Sequence, residues 1–157
     1  MYLKPKGYKM SLLQQLLWGS LVLILCLILE TAILLRCANA LRNMSSRFGK
    51  LFMPWHTTVL ISVALSYILF AHTLQVWIWS SGFVLSGALP DWNTAIYFSL
   101  VTYTTVGYGD VVVGPDLRIF AAFGAVTGLL GFGISTAFLV GALGKVFVFT
   151  HEDRNGN

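Results

Sequence analysis

A chain of 157 residues in which 57% are hydrophobic and only 10% are charged is excluded from the ordinary water-soluble domains. Its net charge of +4 would suggest a nucleic-acid partner in a soluble protein. Here the basic residues flank long apolar runs, so they set orientation in a lipid membrane and no nucleic-acid partner is expected.

Residues 1–10 form a basic tail carrying Lys4, Lys6 and Lys9. An apolar run over 11–36 meets the ~20 residues that a helix needs to cross a hydrocarbon core ~30 Å thick. It holds Cys26, with Cys37 just beyond, and neither has the spacing or histidine neighbours of a metal ligand, so both read as small buried apolar residues. Glu30 is the sole acid in any spanning run. Such a residue invites a role as proton sensor or as partner to a base on another helix. It also lies about six residues from Arg36, and the reading preferred is that its carboxylate reaches the interface. The run has no arginine at every third position and is not a voltage sensor.

Residues 37–54 form a second basic stretch with Arg42, Arg47 and Lys50, read as a cytoplasmic connection. Pro54 marks the start of an outer helix over 55–80. A glycine- and serine-containing link leads to Pro90, and residues 91–104 are too short to span yet apolar and aromatic throughout. They read as a half-length helix buried in protein, with Asp91 as its N-cap. An irregular stretch at 104–110 follows, flanked by segments that place it at membrane depth, where irregular backbone is tolerated only along a cavity. An inner helix over 117–149 would be ~50 Å long and must tilt, bend or project. Residues 151–157 read as a short C-terminal tail, which leaves no room for a soluble regulatory domain.

The irregular stretch reads Thr104, Thr105, Val106, Gly107, Tyr108, Gly109, Asp110. It resembles the signature filter of the potassium channel family, and the resemblance extends over about residues 55–150. That resemblance implies an all-α membrane protein with three transmembrane helices, a re-entrant pore helix and a selectivity filter at 105–109, assembled as a homotetramer in lipid. It implies passive conduction of K+, held by the carbonyls of Thr105, Val106, Gly107 and Tyr108, with the Thr105 hydroxyl adding an inner ring. K+ is then the permeating ion and no cofactor is expected.

Aligning successive carbonyls requires alternating backbone twists, some with positive φ, and Gly107 and Gly109 stand where these are needed. Thr104, Asp110, Trp92, Tyr97 and Val101 are expected to support the filter. Where some members of the family carry a pore-helix glutamate that pairs with the aspartate after the filter, this chain has Val101. Asp110 must then take another donor, and Tyr97 or Trp92 is available. Gly128 and Gly133 resemble the family's inner-helix hinge, although close packing is the favoured reading for most glycines of this helix, Gly124 and Gly128 having GxxxG spacing.

The rival readings are a non-conducting assembly subunit, against which an intact filter argues, and an enzyme, which no nucleophile–base pair, metal cluster or phosphate loop supports. Ala38, Asn39 and Ala40 have the form of a signal-peptidase site, but the preceding apolar run is longer than a signal core. With the filter opening outward, both ends of the pore module lie inside. The C-terminus is then cytoplasmic and the N-terminus outside, in what small size suggests is the plasma (inner) membrane of a microbe.

Overall fold

The computed structural model describes residues 10–48 and 54–155, and the side chains of residues 46–48, 54, 56 and 145–155 fall outside the description. Lys4, Lys6, Lys9, Lys50 and the side chain of Arg47, all assigned to orientation, lie outside it too. The described chain is helical without strands: α1 (Leu12–Phe48), α2 (Pro54–Leu85), a short α3 (Trp92–Tyr103), a single 3-10 turn (Pro115–Leu117) and α4 (Arg118–Asn155). Three of these, all but α3, are long and apolar enough to cross a membrane.

The three long helices end later than expected. α1 runs on to Phe48, well past residue 36, because no glycine or proline occurs between Ser20 and Phe48 and the basic stretch is rich in good helix formers such as Ala38, Ala40, Leu41 and Arg42. The expected basic connection is therefore largely helix. α2 continues through Ser80 and Ser81, whose hydroxyls bond back to the carbonyls of Val76 and Trp77 at 2.7 Å, and ends at Leu85. There Gly87 turns left-handed with φ 66°, and the amides of Ala88 and Leu89 return to the Phe83 carbonyl. α4 likewise extends to Asn155, so most of the expected tail is helical.

α1 lies parallel to α4, and both run antiparallel to α2. The contacts fix this: Gln15 meets Ile119 and Phe120 near one end, while Glu30 meets Ser135 lower down. The Gln15 side chain, 4% exposed, accepts from the amides of Ile119 (3.1 Å) and Phe120 (3.4 Å), which satisfies donors that a helix start leaves free. α1 is thus a full-length member of the bundle and does not lie along a surface, and its N-terminus shares a face with the N-terminus of α4.

The buried positions of α1 are Gln15, Gly19, Cys26, Glu30, Ile33, Leu34 and Cys37, a stripe along one helical face, while Leu13, Leu17, Leu25 and Ile28 point outward. Both cysteines are free and buried, as expected. At Gly19 the added Cβ of any other residue would run into the Phe123 ring, so glycine sets the closeness of α1 to α4. The core sits between the C-terminal part of α2, α3 and the N-terminal part of α4. There Phe83 packs edge-on against Phe98 (5.0 Å) and Phe120 (5.7 Å), and Trp79 lies 5.2 Å from Phe120.

Candidate functional site

α3 is a half-length helix held at both ends. Asp91 caps its start, with the carboxylate accepting from the Thr94 amide at 2.9 Å and the Thr94 hydroxyl at 2.8 Å. These bonds, the Thr94 amide foremost, hold the Asp91 carboxyl below the ordinary carboxylate range. At the other end Thr104 closes the helix: its amide and its hydroxyl both donate to the Leu100 carbonyl, at 3.0 and 2.7 Å.

From this cap the chain turns back on the helix it has just left. The Thr105 amide donates to the Thr102 carbonyl at 2.9 Å, and the amides of Val106 and Gly107 both donate to the Val101 carbonyl, at 3.0 and 3.2 Å. The last carbonyls of α3, which a helix end leaves without partners, are thereby used. The N–H groups of four consecutive residues, Thr104 to Gly107, thus face α3. Among the described residues no donor reaches the carbonyls of Thr105, Val106, Gly107 or Tyr108. The strand from Thr104 to Asp110 is exposed on the protomer.

Positive φ occurs at alternate residues: Thr105 (60°), Gly107 (56°) and Gly109 (76°). In an extended strand successive carbonyls point to opposite sides, whereas alternation of left- and right-handed residues turns them to the same side. Gly107 and Gly109 adopt these angles without a steric penalty. Thr105 was not expected to share them. A β-branched residue there is strained, by about 1–3 kcal/mol, and such strain clusters at functional positions.

The C-terminal end of the strand is tied down by Asp110. Tyr97 donates its hydroxyl to Asp110 Oδ2 at 2.6 Å, and the Val111 amide donates to Oδ1 at 3.0 Å. The Tyr97 bond is the largest cause holding the Asp110 carboxyl below its ordinary range, and the same bond raises the Tyr97 phenol. Of the two expected donors Tyr97 is the partner, while Trp92 instead stacks against Trp77 with ring centres 5.8 Å apart. Behind the strand is a cavity of about 200 Å³ bounded by Tyr97, Val101, Gly107, Gly109 and Asp110. Val101 offers it an apolar side chain, and its contribution to the strand is its carbonyl.

On α4, Gly128 lies so close to the end of α3 that a Cβ there would collide with the Tyr103 carbonyl oxygen. Around Gly133 a Cβ would meet nothing within 4 Å, and α4 is continuous through both. Glu30 departs from the expected placement. It is fully buried and does not reach an interface, because Ser135 donates to its Oε1 at 2.7 Å and Gln75 donates to its Oε2 at 3.1 Å. Two bonds inside the bundle replace the water it would otherwise have to reach.

Two antiparallel spanning helices enclosing a half-length helix and a strand of aligned carbonyls define the pore module of a membrane channel. Residues 55–145 match the family model described as "Ion channel", more than half of the chain, and the protein belongs to that family. It is a channel protein and not an enzyme. Over 87 residues it is 32% identical to the voltage-gated potassium channel Kch of Escherichia coli (strain K12), an alignment covering 55% of this chain and 20% of that relative. The chain thus spans about a fifth of the length of the curated relative it matches. No solved structure matches it.

Proposed function

We propose that four copies of this chain assemble around one axis to form a pore that conducts K+ passively, with the carbonyls of Thr105, Val106, Gly107 and Tyr108 replacing the ion's hydration shell. The observation that carries this reading is the combination of alternating positive φ with amides tied back to α3, which leaves one row of unpaired carbonyls at the residues that match the filter. In loops of this sequence type, rings of backbone carbonyls stand in for water around the ion, and that known chemistry supplies the mechanism. One protomer provides one row, and closing a ring around an ion takes several, for which four is the family's number. The potassium channel named among its relatives supports the choice of ion.

Other features agree. α3 directs its C-terminal, partially negative end toward the inner end of the strand, where it favours a cation. Asp110, whose carboxyl the Tyr97 bond holds below its ordinary range, stands at the outer end, and repeated around the axis it concentrates cations. Val106 and Tyr108 are 52% and 72% exposed on the protomer, surfaces that suit neighbouring subunits, while the outward leucines of α1 suit lipid. With the filter opening outward in a microbial inner membrane, the start of α1 lies outside and the end of α4 in the cytoplasm, a reading that the parallel arrangement of α1 and α4 supports.

The test is reconstitution into liposomes. Potassium and rubidium should permeate far better than sodium, and barium should block. A reversal potential indifferent to exchange of potassium for sodium would remove the reading. Detergent-solubilised protein should have the mass of a tetramer, and conduction by a monomer or trimer would contradict the assembly.

A further inference from the structure

Glu30 belongs to a closed ring of five side chains drawn from all four helices. Ser135 (α4) donates to Glu30 Oε1 (α1) at 2.7 Å and its Oγ lies 3.2 Å from His72 Nε2 (α2). His72 Nδ1 is 2.7 Å from the Tyr103 hydroxyl (α3), which donates to Gln75 Oε1 (α2) at 3.1 Å. Gln75 Nε2 closes the ring on Glu30 Oε2 at 3.1 Å. Glu30 and Gln75 are fully buried, Tyr103 and Ser135 nearly so, and only His72 is partly accessible. Gly131 lets α4 close over the ring, since a Cβ there would stand 2.8 Å from Glu30 Oε2 and 3.1 Å from the Tyr103 hydroxyl.

Five contacts need five hydrogens, one in each. Tyr103, Ser135 and Gln75 supply three, so Glu30 and His72 must carry two between them. In the arrangement just described, both arms donate away from His72 toward Glu30, which is an imidazolium and a carboxylate. Reversing the Ser135 arm, so that the acid donates to Ser135 and Ser135 to His72 Nε2, gives a neutral imidazole and a carboxylic acid with every contact filled, and turning the Gln75 amide over gives the same pair through the other arm. In the latter form the hydrogen leaves His72 Nδ1, Tyr103 donates to Nδ1, Gln75 donates to Tyr103, and the acid donates to Gln75. With one hydrogen fewer, one contact has none; with one more, one contact has two. Only the two-hydrogen forms are also net neutral, and a net charge at this depth is costly.

We propose that Glu30 and His72 form a proton-binding site inside the membrane which holds one shared proton, neither none nor two, and which latches α1 to the pore helices only when so loaded. Among the described residues, the titratable groups facing the ring are Glu30 and Cys26 from α1, His72 from α2 and Tyr103 from α3. Among the described residues α4 brings no titratable group to the ring, only Ser135 and the opening at Gly131. Ser135 lies two residues past Gly133, so on the pore reading the loaded ring also holds the inner half of α4 in place. Acid, arriving at partly accessible His72, or alkali would free it.

The test reads assembly rather than conduction, so its failure is separable from failure of the pore reading. Thermal unfolding of the detergent-solubilised protein is followed across pH. The wild type should show a plateau with a fall on each side. Glu30→Gln supplies one hydrogen that cannot be lost, and with neutral His72 fills all five contacts, so it should keep the acid fall and lose the alkaline one. His72→Gln should do the opposite. A flat wild-type profile, or variants that shift both limbs together, overturns the proposal. Should a variant fail to assemble, nitrogen-15 NMR of labelled histidine in the wild type decides. His72 must gain its proton where the acid limb falls, and a His72 that titrates where stability is flat refutes the latch.

Discussion

Gly128 and Gly133 on α4 make opposite predictions under alanine substitution. In an exposed helix interior, glycine to alanine gains roughly 0.5–1 kcal/mol from the reduced freedom of the unfolded chain. At Gly133 nothing stands within 4 Å of the added Cβ, so that gain should appear in full. At Gly128 the Cβ collides with the carbonyl oxygen of Tyr103, with its carbonyl carbon at 2.8 Å and its ring Cδ1 at 3.1 Å. The obstacle is backbone at the last residue of α3 and cannot rotate away, so α3 and α4 must separate. Overpacking of this kind costs typically 1–3 kcal/mol, which exceeds the propensity gain and leaves Gly128→Ala destabilised by about 1–2 kcal/mol per subunit. The separation also displaces Thr104 and the strand beyond it, so flux should fall with stability. Thermal unfolding and liposome flux on the two variants are the assay, with Gly124→Ala as a control whose Cβ finds ordinary contacts at 3.5 Å from Thr102 and 3.6 Å from Trp79. A Gly128→Ala protein as stable as Gly133→Ala would refute the argument that this glycine is there for close approach.

Gly107→Ala should abolish selective flux although nothing lies within 4 Å of the new Cβ, because an alanine at φ 56° costs about 1–2 kcal/mol in backbone alone; unchanged reversal potentials would count against it. Tyr97→Phe removes the main cause of the lowered Asp110 carboxyl. The Asp110 bond contributes stability that is present above the ordinary carboxylate range and lost as pH falls through the lowered value, so the variant should lose flux at a higher pH than wild type; coincident acid limbs would sink the assignment. Gln15→Leu leaves the buried Phe120 amide and that of Ile119 without their acceptor and should destabilise the bundle by ~1–3 kcal/mol in thermal unfolding, an unchanged midpoint being the contrary result.

The filter region was legible because its signals are local. Asp91 caps within three residues, Tyr97 reaches Asp110 across thirteen, and the glycine spacing at 107 and 109 states the backbone requirement in the sequence itself. Thr105 was missed because its left-handed angle follows from the amides of Thr105 and Val106 both turning back to α3, which residue type does not announce. α1 was opaque for a different reason. In water, apolar periodicity points to the buried face, but lipid is as apolar as leucine and the rule loses its force. On α1 the stripe facing the bundle carries Gln15, Gly19, Cys26 and Glu30 beside Ile33 and Leu34, while most of the leucines face outward, so the apolar run concealed a face marked by its polar and small members. Glu30 has partners up to 105 residues away, and no local pattern names them.

Those distant contacts have a regularity of their own. Gln15 meets Ile119, Gly19 meets Phe123 and Glu30 meets Ser135, so each residue of α1 finds its neighbour on α4 at an offset of 104 or 105. Two helices that keep a constant offset over fifteen residues, ~22 Å of rise, lie side by side in parallel register. Each contact is also of a kind that lipid cannot replace: a cap on free amides, a glycine against an aromatic ring, and a carboxylate with two donors. Sliding α1 by one turn would bury the Glu30 carboxyl group without Ser135 or Gln75, leaving it without hydrogen-bond partners in hydrocarbon. The additional helix is therefore fixed in register by its polar residues. While the ring at Glu30 is loaded, motion of α4 that leaves α1 in place is confined to the part beyond Ser135, and any larger motion carries α1 with it.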